Sequence, residues 1–451
     1  MKIRTISRSE EDYCRKTTKD ITKVHRNRDP SLHPFERARE YTKAIVATKL
    51  DKIFAKPFVG SLDGHKDSIH CISTVRNKIV PIISGSCDGE IKVWDLSRRE
   101  CFWSVVAHSG FVRAIAPDEG GYSFYSCGDD KMIKQWPLLC ETSSSTDKII
   151  EPINTIIAPH SLKGMDHHWK DKQFATYGEA VCVWDGSRAS SSEPLHTYTW
   201  GSDSILCVKY NPAEAALLAS TAADRSICLY DLRASVPMRK VILSMKSNQL
   251  AWNPLEPFNF VVASEDHNLY SFDMRNMSKA LLIHKDHVSA VMDVTFSPTG
   301  REFVSGSYDQ TIRIFDANSG RSKECYHAKR MQKIFSVSYS SDAKFVLSGS
   351  DDTNIRIWKA QASKSLGIVA GREERKNRYN DKLKSRFAHL PEISRLVKDK
   401  KLPKRIKKAN SIHHIQNVSK HRKLDNRKRH SKPGGADIDP ERKRVIIKEI
   451  E

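Results

Sequence analysis

No apolar stretch of this chain approaches the roughly 20 residues that a membrane-spanning helix needs. The opening residues, MKIRTISRSEEDYCRK, lack the apolar core of a secretory signal. No CxxC pair occurs: the ten Cys stand singly at 14, 71, 87, 101, 127, 140, 182, 207, 228 and 325. Most fall in apolar, strand-like runs, so reduced and buried thiols of the cytosol or nucleus are expected, not a disulfide framework or a zinc site. GxxxxGK[ST], HExxH and GxSxG are also missing. His167-His168 in GMDHHWK and His413-His414 in SIHHIQ have no Cys or carboxylate cluster beside them. They read as loop, strand or docking-segment histidines, not metal ligands. These absences predict a protein that is not an enzyme, with no cofactor, no small-molecule substrate and no membrane partner.

What is present is charge at the two ends. The formal net charge is +21, and it is unevenly spread. Residues 1–60 carry 15 basic and 8 acidic side chains, residues 361–451 carry 27 and 11, and the 300 residues between carry 33 and 35. Basic ends on a near-neutral body point to a polyanionic partner, nucleic acid ahead of a membrane surface.

The body repeats. SGSCDGEIKVWD, SCGDDKMIKQWP, STAADRSICLYD, ASEDHNLYSFD, SGSYDQTIRIFD and SGSDDTNIRIWK each run from small residues through an Asp and an alternating apolar stretch to an aromatic. The pairs are Asp88 with Trp94, Asp130 with Trp136, Asp224 with Tyr230, Asp266 with Phe272, Asp309 with Phe315, and Asp352 with Trp358. A seventh aromatic, Trp184, has Gly178 in the Asp position, so an irregular turn is expected there. Successive aromatics are 42 to 48 residues apart. Alternation at period two sets one face of each strand against a neighbour. The Asp belongs in a tight turn, where its carboxylate accepts local N–H groups.

This period and these residues resemble the WD40 unit, one four-stranded blade per repeat. The fold class is therefore all-β: a seven-bladed WD40 β-propeller over 57–360, with basic, partly helical extensions at 1–56 and 361–451. His65, His108 and His287 resemble the histidine that bonds the turn Asp of its own blade in that fold. The strand before Gly64-His65 has no preceding blade in sequence and is expected to complete the blade ending at Trp358, since an open ring would leave unpaired edges.

Two consecutive repeats end in YDLR and FDMR, placing Arg233 and Arg275 two residues after an Asp. This resembles the WDxR signature of substrate receptors for cullin–RING ubiquitin ligases, in which the Arg docks an adaptor from the narrow face of the propeller. A planar, permanently charged guanidinium suits such a contact. The alternative is that both arginines pair with turn carboxylates of adjacent blades.

The C-terminal 91 residues keep apolar spacing among their charges. Tyr379, Leu383 and Phe387 predict a helix over about 372–389, and Pro391 with Ile393, Leu396 and Val397 predicts a second. Pro403 is expected to break it, leaving 398–409 as an extended basic arm. That arm would meet RNA backbone through Lys398, Lys400, Lys401, Lys404, Arg405, Lys407 and Lys408, followed by Arg422, Lys423, Arg427, Lys428 and Arg429. Ile406, Ile412, Ile415 and Val418 would grip protein grooves, and the same basic runs suit nuclear import. After Pro433-Gly434-Gly435 comes a short mixed-charge end. Near the N-terminus, Pro34, Phe35, Ala38, Tyr41 and Ile45 predict a further helix.

HPFERAREYTKAIVATKLDKIFAKPFVGSLDGH, a seven-blade ring and the tail SLGIVAGREERKNRYNDKLKSRFAHLPEISRLVKDKKLPKRIKKA together resemble the Sof-type WD40 proteins. That resemblance implies a nucleolar, nuclear protein of the small-subunit processome. Its implied partners are pre-rRNA, a box C/D small nucleolar ribonucleoprotein and assembly-factor proteins, and its implied role is small-subunit (18S) rRNA maturation. It also implies a second role, as a DDB- and cullin-associated receptor of a ubiquitin ligase.

Overall fold

The computed structural model describes residues 29–138, 151–187, 193–199, 203–234, 237–432 and 439–450. The chain forms two compact units, one from residues up to 54 together with 365–399, the other from 55–364 together with 400–451. Cys14 and Cys140 lie outside the described residues.

The larger unit contains seven antiparallel sheets in sequence order. Blade 1 comprises Ile69–Thr74, Ile82–Ser86, Glu90–Asp95 and Glu100–Val106. Blades 2 to 6 span 112–157, 164–198, 205–243, 247–284 and 291–326, and blade 7 spans 334–359. The ring closes as expected: Phe58–Leu62 pairs antiparallel with Ile355–Lys359, Leu62 opposite Ile355, as the fourth strand of blade 7. Apolar clusters join adjacent sheets. Leu62, Ile69, Ile82, Trp94, Leu347 and Ile357 unite blades 7 and 1 across that closure.

The turn before each third strand has a common chemistry. The Asp carboxylate accepts the N–H two residues on, from Glu90 at 3.1 Å, Met132 at 3.1 Å, Ser226 at 3.0 Å, Asn268 at 3.0 Å and Thr311 at 2.9 Å. The residue after the Asp takes a left-handed conformation at Lys131, Arg225, His267, Gln310 and Thr353. In blade 1 this place is Gly89 at φ +86°, and a Cβ there would meet the His108 carbonyl at 2.0 Å. Blade 3 departs from expectation. Without its Asp it still pairs Gln173–Tyr177 with Val181–Asp185 in unbroken register. The space decides this, since a Cβ at Gly178 would meet the Ser161 carbonyl at 2.1 Å.

The smaller unit joins helices of the N-terminal and C-terminal extensions. Helix α1 (Glu36–Ile53) packs with α2 (Gly371–Arg386) and α3 (Pro391–Lys398). Ala44, Leu383 and Ile393 are buried among them, with Tyr41, Ile45 and Phe387 alongside. Tyr41 donates to Glu392 at 2.6 Å, Arg386 pairs with Glu40 at 2.7 Å, and Lys384 pairs with Asp51. Tyr379 is exposed rather than on the packed face. The two extensions therefore fold together here, because neither has apolar surface enough for a core of its own.

The remaining tail belongs to the propeller unit. Residues 404–429, expected to begin as an extended arm, form helix α4 (Lys404–Arg429). The previous helix has already ended at Lys398, and Pro403 sits at the N-cap of the next one, where a proline forfeits no helical bond. The buried Ile406 anchors that first turn. Beyond the short helix α5 (Glu441–Arg444), Ile446–Ile450 adds a fifth strand to blade 4, with Lys240 opposite Ile450 and Leu243 opposite Ile446. The mixed-charge end is thus a strand, seated by Val445 in the apolar cluster of Val241, Leu243 and Leu250.

Candidate nucleic-acid interface and docking face

The histidines belong to the blades. His108 Nδ1 lies 3.0 Å from Asp130, its Nε2 lies 2.9 Å from Ser126 Oγ, and Trp136 Nε1 donates to the same hydroxyl at 3.0 Å. His287 repeats this with Asp309 at 2.9 Å and Ser305 at 2.7 Å. Burial lowers both imidazole pKa values against the pull of the carboxylates. Burial pushes the Asp309 carboxyl up, yet His287 and Arg313 outweigh it and hold it at about 2.

His65 does not bond Asp88. Its Nε2 meets Ser84 at 2.7 Å, where Trp94 also donates, and its Nδ1 faces Glu90 at 3.7 Å. Asp88 is taken up by Ser86 and the Glu90 N–H. In the blades without an upstream histidine, strand residues take its place. Lys240 pairs with Asp224 at 2.9 Å, Tyr270 donates to Asp266, and Arg356 forks onto Asp352. Trp358 donates to Ser348 at 3.0 Å and Trp184 to Thr176 at 2.8 Å.

No group of three or more metal-ligating side chains occurs among the described residues. His167 Nδ1 donates to the His168 carbonyl at 2.6 Å, and His168 Nδ1 accepts the Asp171 N–H at 2.8 Å. Cys127, Cys182, Cys207 and Cys228 are buried; Cys71, Cys87 and Cys325 are half-buried, and Cys101 is exposed. Burial pushes the Cys127 and Cys207 thiols up to about 12, so they are inert.

Most of the nominated cations form a rail on α4. Lys404, Lys407 and Lys408 share one face of its first turns at spacings of three and four. Arg422 and Arg429 return to that face near the far end, with Lys423, Arg427 and Lys428 spread around the helix, all exposed. The helix is about 37 Å from first to last residue, at 1.5 Å per residue. Its first turn holds no acid, so the positive end of the helix dipole and the lysines reinforce one another toward an anion. Arg405 also touches Gln310 at 3.4 Å, while Lys401 is exposed just before the helix and Lys398 ends α3 in the other unit. Ile412, Ile415 and Val418 are exposed, leaving Ile406 as the buried apolar residue of α4.

Lys400 is not free for phosphate. Its ammonium contacts Asp286 at 3.0 Å and Ser322 at 2.7 Å. Burial pushes the Asp286 carboxyl up, but Lys400, Ser322 and Arg321 outweigh it and hold it well below the usual carboxylate range. Arg321 and Ser322 also hold that carboxylate, and Lys400 adds to them a clasp between tail and blade.

Arg233 and Arg275 lie at the other end of the blades. The turn aspartates precede the third strands Ser226–Asp231 and Leu269–Asp273, and the arginines follow them. The helix α4 touches the turn end, through Gln310 and through His413, whose ring lies 5.0 Å from His267. The basic rail and the two arginines thus occupy opposite faces. Arg275 forks onto Asp273 of its own motif at 3.1 Å for both bonds and lies 4.4 Å from the Phe258 ring centre. It does not reach a turn carboxylate of the adjacent blade, and it remains 64% exposed. Arg233 is exposed, its backbone N–H bonded to Asp231 at 2.9 Å.

Comparison with known proteins identifies the family and the fold. A Sof1-like domain model matches residues 360–446, and the WD domain, G-beta repeat model matches 56–95, 99–137, 192–231, 278–316 and 323–359. The crystal structure of the WD40 beta propeller domain of Doa1 superimposes with a TM-score of 0.57 at 21% identity, over 68% of this chain and 98% of that one, which shows the fold. DDB1- and CUL4-associated factor 13 of Danio rerio is 48% identical over 100% of both chains. Its Homo sapiens counterpart is 46% identical over 99% of both. Protein SOF1 of Saccharomyces cerevisiae is 44% identical over 95% of this chain and 91% of its own. With both of its modules matched and such identity along the whole chain, this protein belongs to the Sof1-like family of WD40 proteins.

Proposed function

We propose that this protein is a non-catalytic scaffold of ribosome biogenesis. In this reading it is a component of the nucleolar small-subunit processome, required for pre-rRNA processing to 18S rRNA. Its partners there are pre-rRNA, a box C/D small nucleolar ribonucleoprotein and assembly-factor proteins. The observation that carries the reading is the basic rail of α4, clasped to a propeller whose His108 and His287 are bonded to the turn aspartates of their own blades. Phosphates neutralised along such a rail supply affinity that depends on salt and little on sequence. The likeness to Protein SOF1 over nearly the full chain supports it.

Removing everything after Ala360 would test this poorly, since it also strips the fifth strand of blade 4 and the Lys400 clasp. The informative variant changes Lys404, Lys407, Lys408, Arg422, Lys423 and Arg427 to Gln. Nuclear extract is then sedimented with and without RNase. The intact chain is expected in large, RNase-sensitive particles, and the variant near the top of the gradient. If both run in large particles that RNase leaves unchanged, the rail does not hold RNA.

A second reading rests on a separate observation, the two exposed arginines on the opposite face. The relatives' name describes association with DDB1 and CUL4. On this reading the chain is a receptor of a cullin–RING ligase, with Arg233 and Arg275 meeting the adaptor. Co-precipitation of the adaptor should be lost in Arg233→Ala with Arg275→Ala and unchanged in the six-glutamine variant.

A further inference from the structure

A cavity of about 480 Å³ lies between α4, the turn end of blades 5 and 6, and the C-terminal segment. Its volume is that of a small-molecule pocket. Its walls are largely polar and carry four cationic side chains against two carboxylates. Lys420 enters from α4, Arg444 from α5, and Lys285 and Arg321 from blades 5 and 6. Amide and imidazole donors from α4 stand between them: Asn410, His413, His414 and Asn417.

The two carboxylates of the cavity are already consumed. Glu441 pairs with Lys285. Asp286 is met by Lys400 at 3.0 Å, Arg321 at 2.8 Å and Arg313 at 3.8 Å, a surplus of positive charge around one anion. Lys420 and Arg444 have no carboxylate within 4 Å among the described residues; Arg444 donates one bond, to the Asp439 carbonyl at 2.7 Å. The Lys420 ammonium and the Arg444 guanidinium, from α4 and α5, with the paired Lys285 and Arg321 behind them, match a ligand with several anionic oxygens on one centre, and would repel a metal ion.

We infer that this cavity is a discrete phosphate-binding site, taking a compact polyphosphate group. That group could be the polyphosphate of a free small molecule or the terminal phosphates of an RNA chain, which share the same chemistry. The site differs from the rail of α4 in kind. It is saturable, holds one ligand, and uses residues the rail does not. It therefore stands whether or not the rail carries RNA.

The test uses the full chain and isothermal titration at fixed salt, with inorganic pyrophosphate and inositol hexakisphosphate as probes. Saturation at one equivalent is expected. Lys420→Gln with Arg444→Gln should weaken it at least tenfold, and Lys420→Arg should retain it. Both sites are exposed, and an unchanged melting temperature verifies the fold. Lys428→Gln with Arg429→Gln, at the far end of α4, should bind the probes as the parent does. A 5′-triphosphorylated RNA oligonucleotide is then added as competitor, beside the same oligonucleotide with a 5′-hydroxyl. Displacement by the triphosphorylated form alone assigns the site to RNA ends; displacement by neither assigns it to free polyphosphates. Heats that fail to saturate, or equal affinity in the parent and in Lys420→Gln with Arg444→Gln, overturn the inference.

Discussion

His284 is fully buried in blade 5, with Nε2 2.7 Å from Ser271 Oγ and Nδ1 2.7 Å from the Ser319 carbonyl. Burial lowers its pKa to about 4, against the pull of that carbonyl. The folded value lies below the ordinary 6.5, so the neutral ring stabilises the fold fully above pH 6.5 and less as pH falls from there toward 4. Between pH 7.5 and 5 this one residue should contribute a loss of about 2 kcal/mol. Urea denaturation at the two pH values should show His284→Gln with a correspondingly shallower pH dependence than the parent. The turn aspartates should differ sharply from one another. Asp309→Ala leaves the buried His287 Nδ1 without its acceptor and should cost about 2–3 kcal/mol. Asp88→Ala, which removes only local turn bonds, should cost about 1 kcal/mol by the same measurement. The repeat made the first pairing legible and misled on the second. His108 and His287 precede their aspartates by 22 residues, whereas His65 precedes Asp88 by 23. The extra residue falls between His65 and Ser84, so the ring keeps the serine and misses the carboxylate.

At the scale of elements, the closing strand and the terminal strand invite parallel experiments. A chain beginning at Pro57 keeps Phe58–Leu62 on the edge of blade 7, and one beginning at Asp63 loses it with the buried Leu62. The second should melt lower, and the amides of Ile355–Lys359 should exchange faster with solvent. Likewise Val445→Asp puts a charge into the cluster around Val241 and Leu250, and should release Ile446–Ile450 from blade 4. Faster exchange at Arg239–Leu243, with the other blades unchanged, would register that release. The closing strand was legible because a ring of repeats requires it. The terminal strand was not, because IIKEI is short and carries two charges in five residues, and becomes a strand only through the open edge it meets. The basic helix was hidden for a different reason. A proline reads equally well as the end of one helix and the start of the next, and the buried seat of Ile406 decides between them.

At the scale of the molecule, the rail and the two arginines occupy opposite faces of the propeller unit, so their effects should be separable. The six-glutamine variant should lower the slope of log affinity against log salt for single-stranded RNA by about 4, at about 0.7 per phosphate contact. The Arg233 and Arg275 substitutions should leave that slope unchanged. Combining the two sets should give the sum of the separate effects, measured by filter binding and by adaptor co-precipitation. The sequence by itself determined the ring, its seven units, its closing strand and the charge of its ends. Each of these follows from a local pattern, period-two alternation, a turn aspartate or a count of lysines, that survives without knowing what lies opposite. Only the tertiary structure decided that Lys400 clasps Asp286, that Glu90 faces His65, that helices from the two extensions share one small core, and that a polar cavity with four cationic side chains opens beneath α4. Those are pairings between residues far apart in sequence, and their energy comes from the partner each side chain meets once buried.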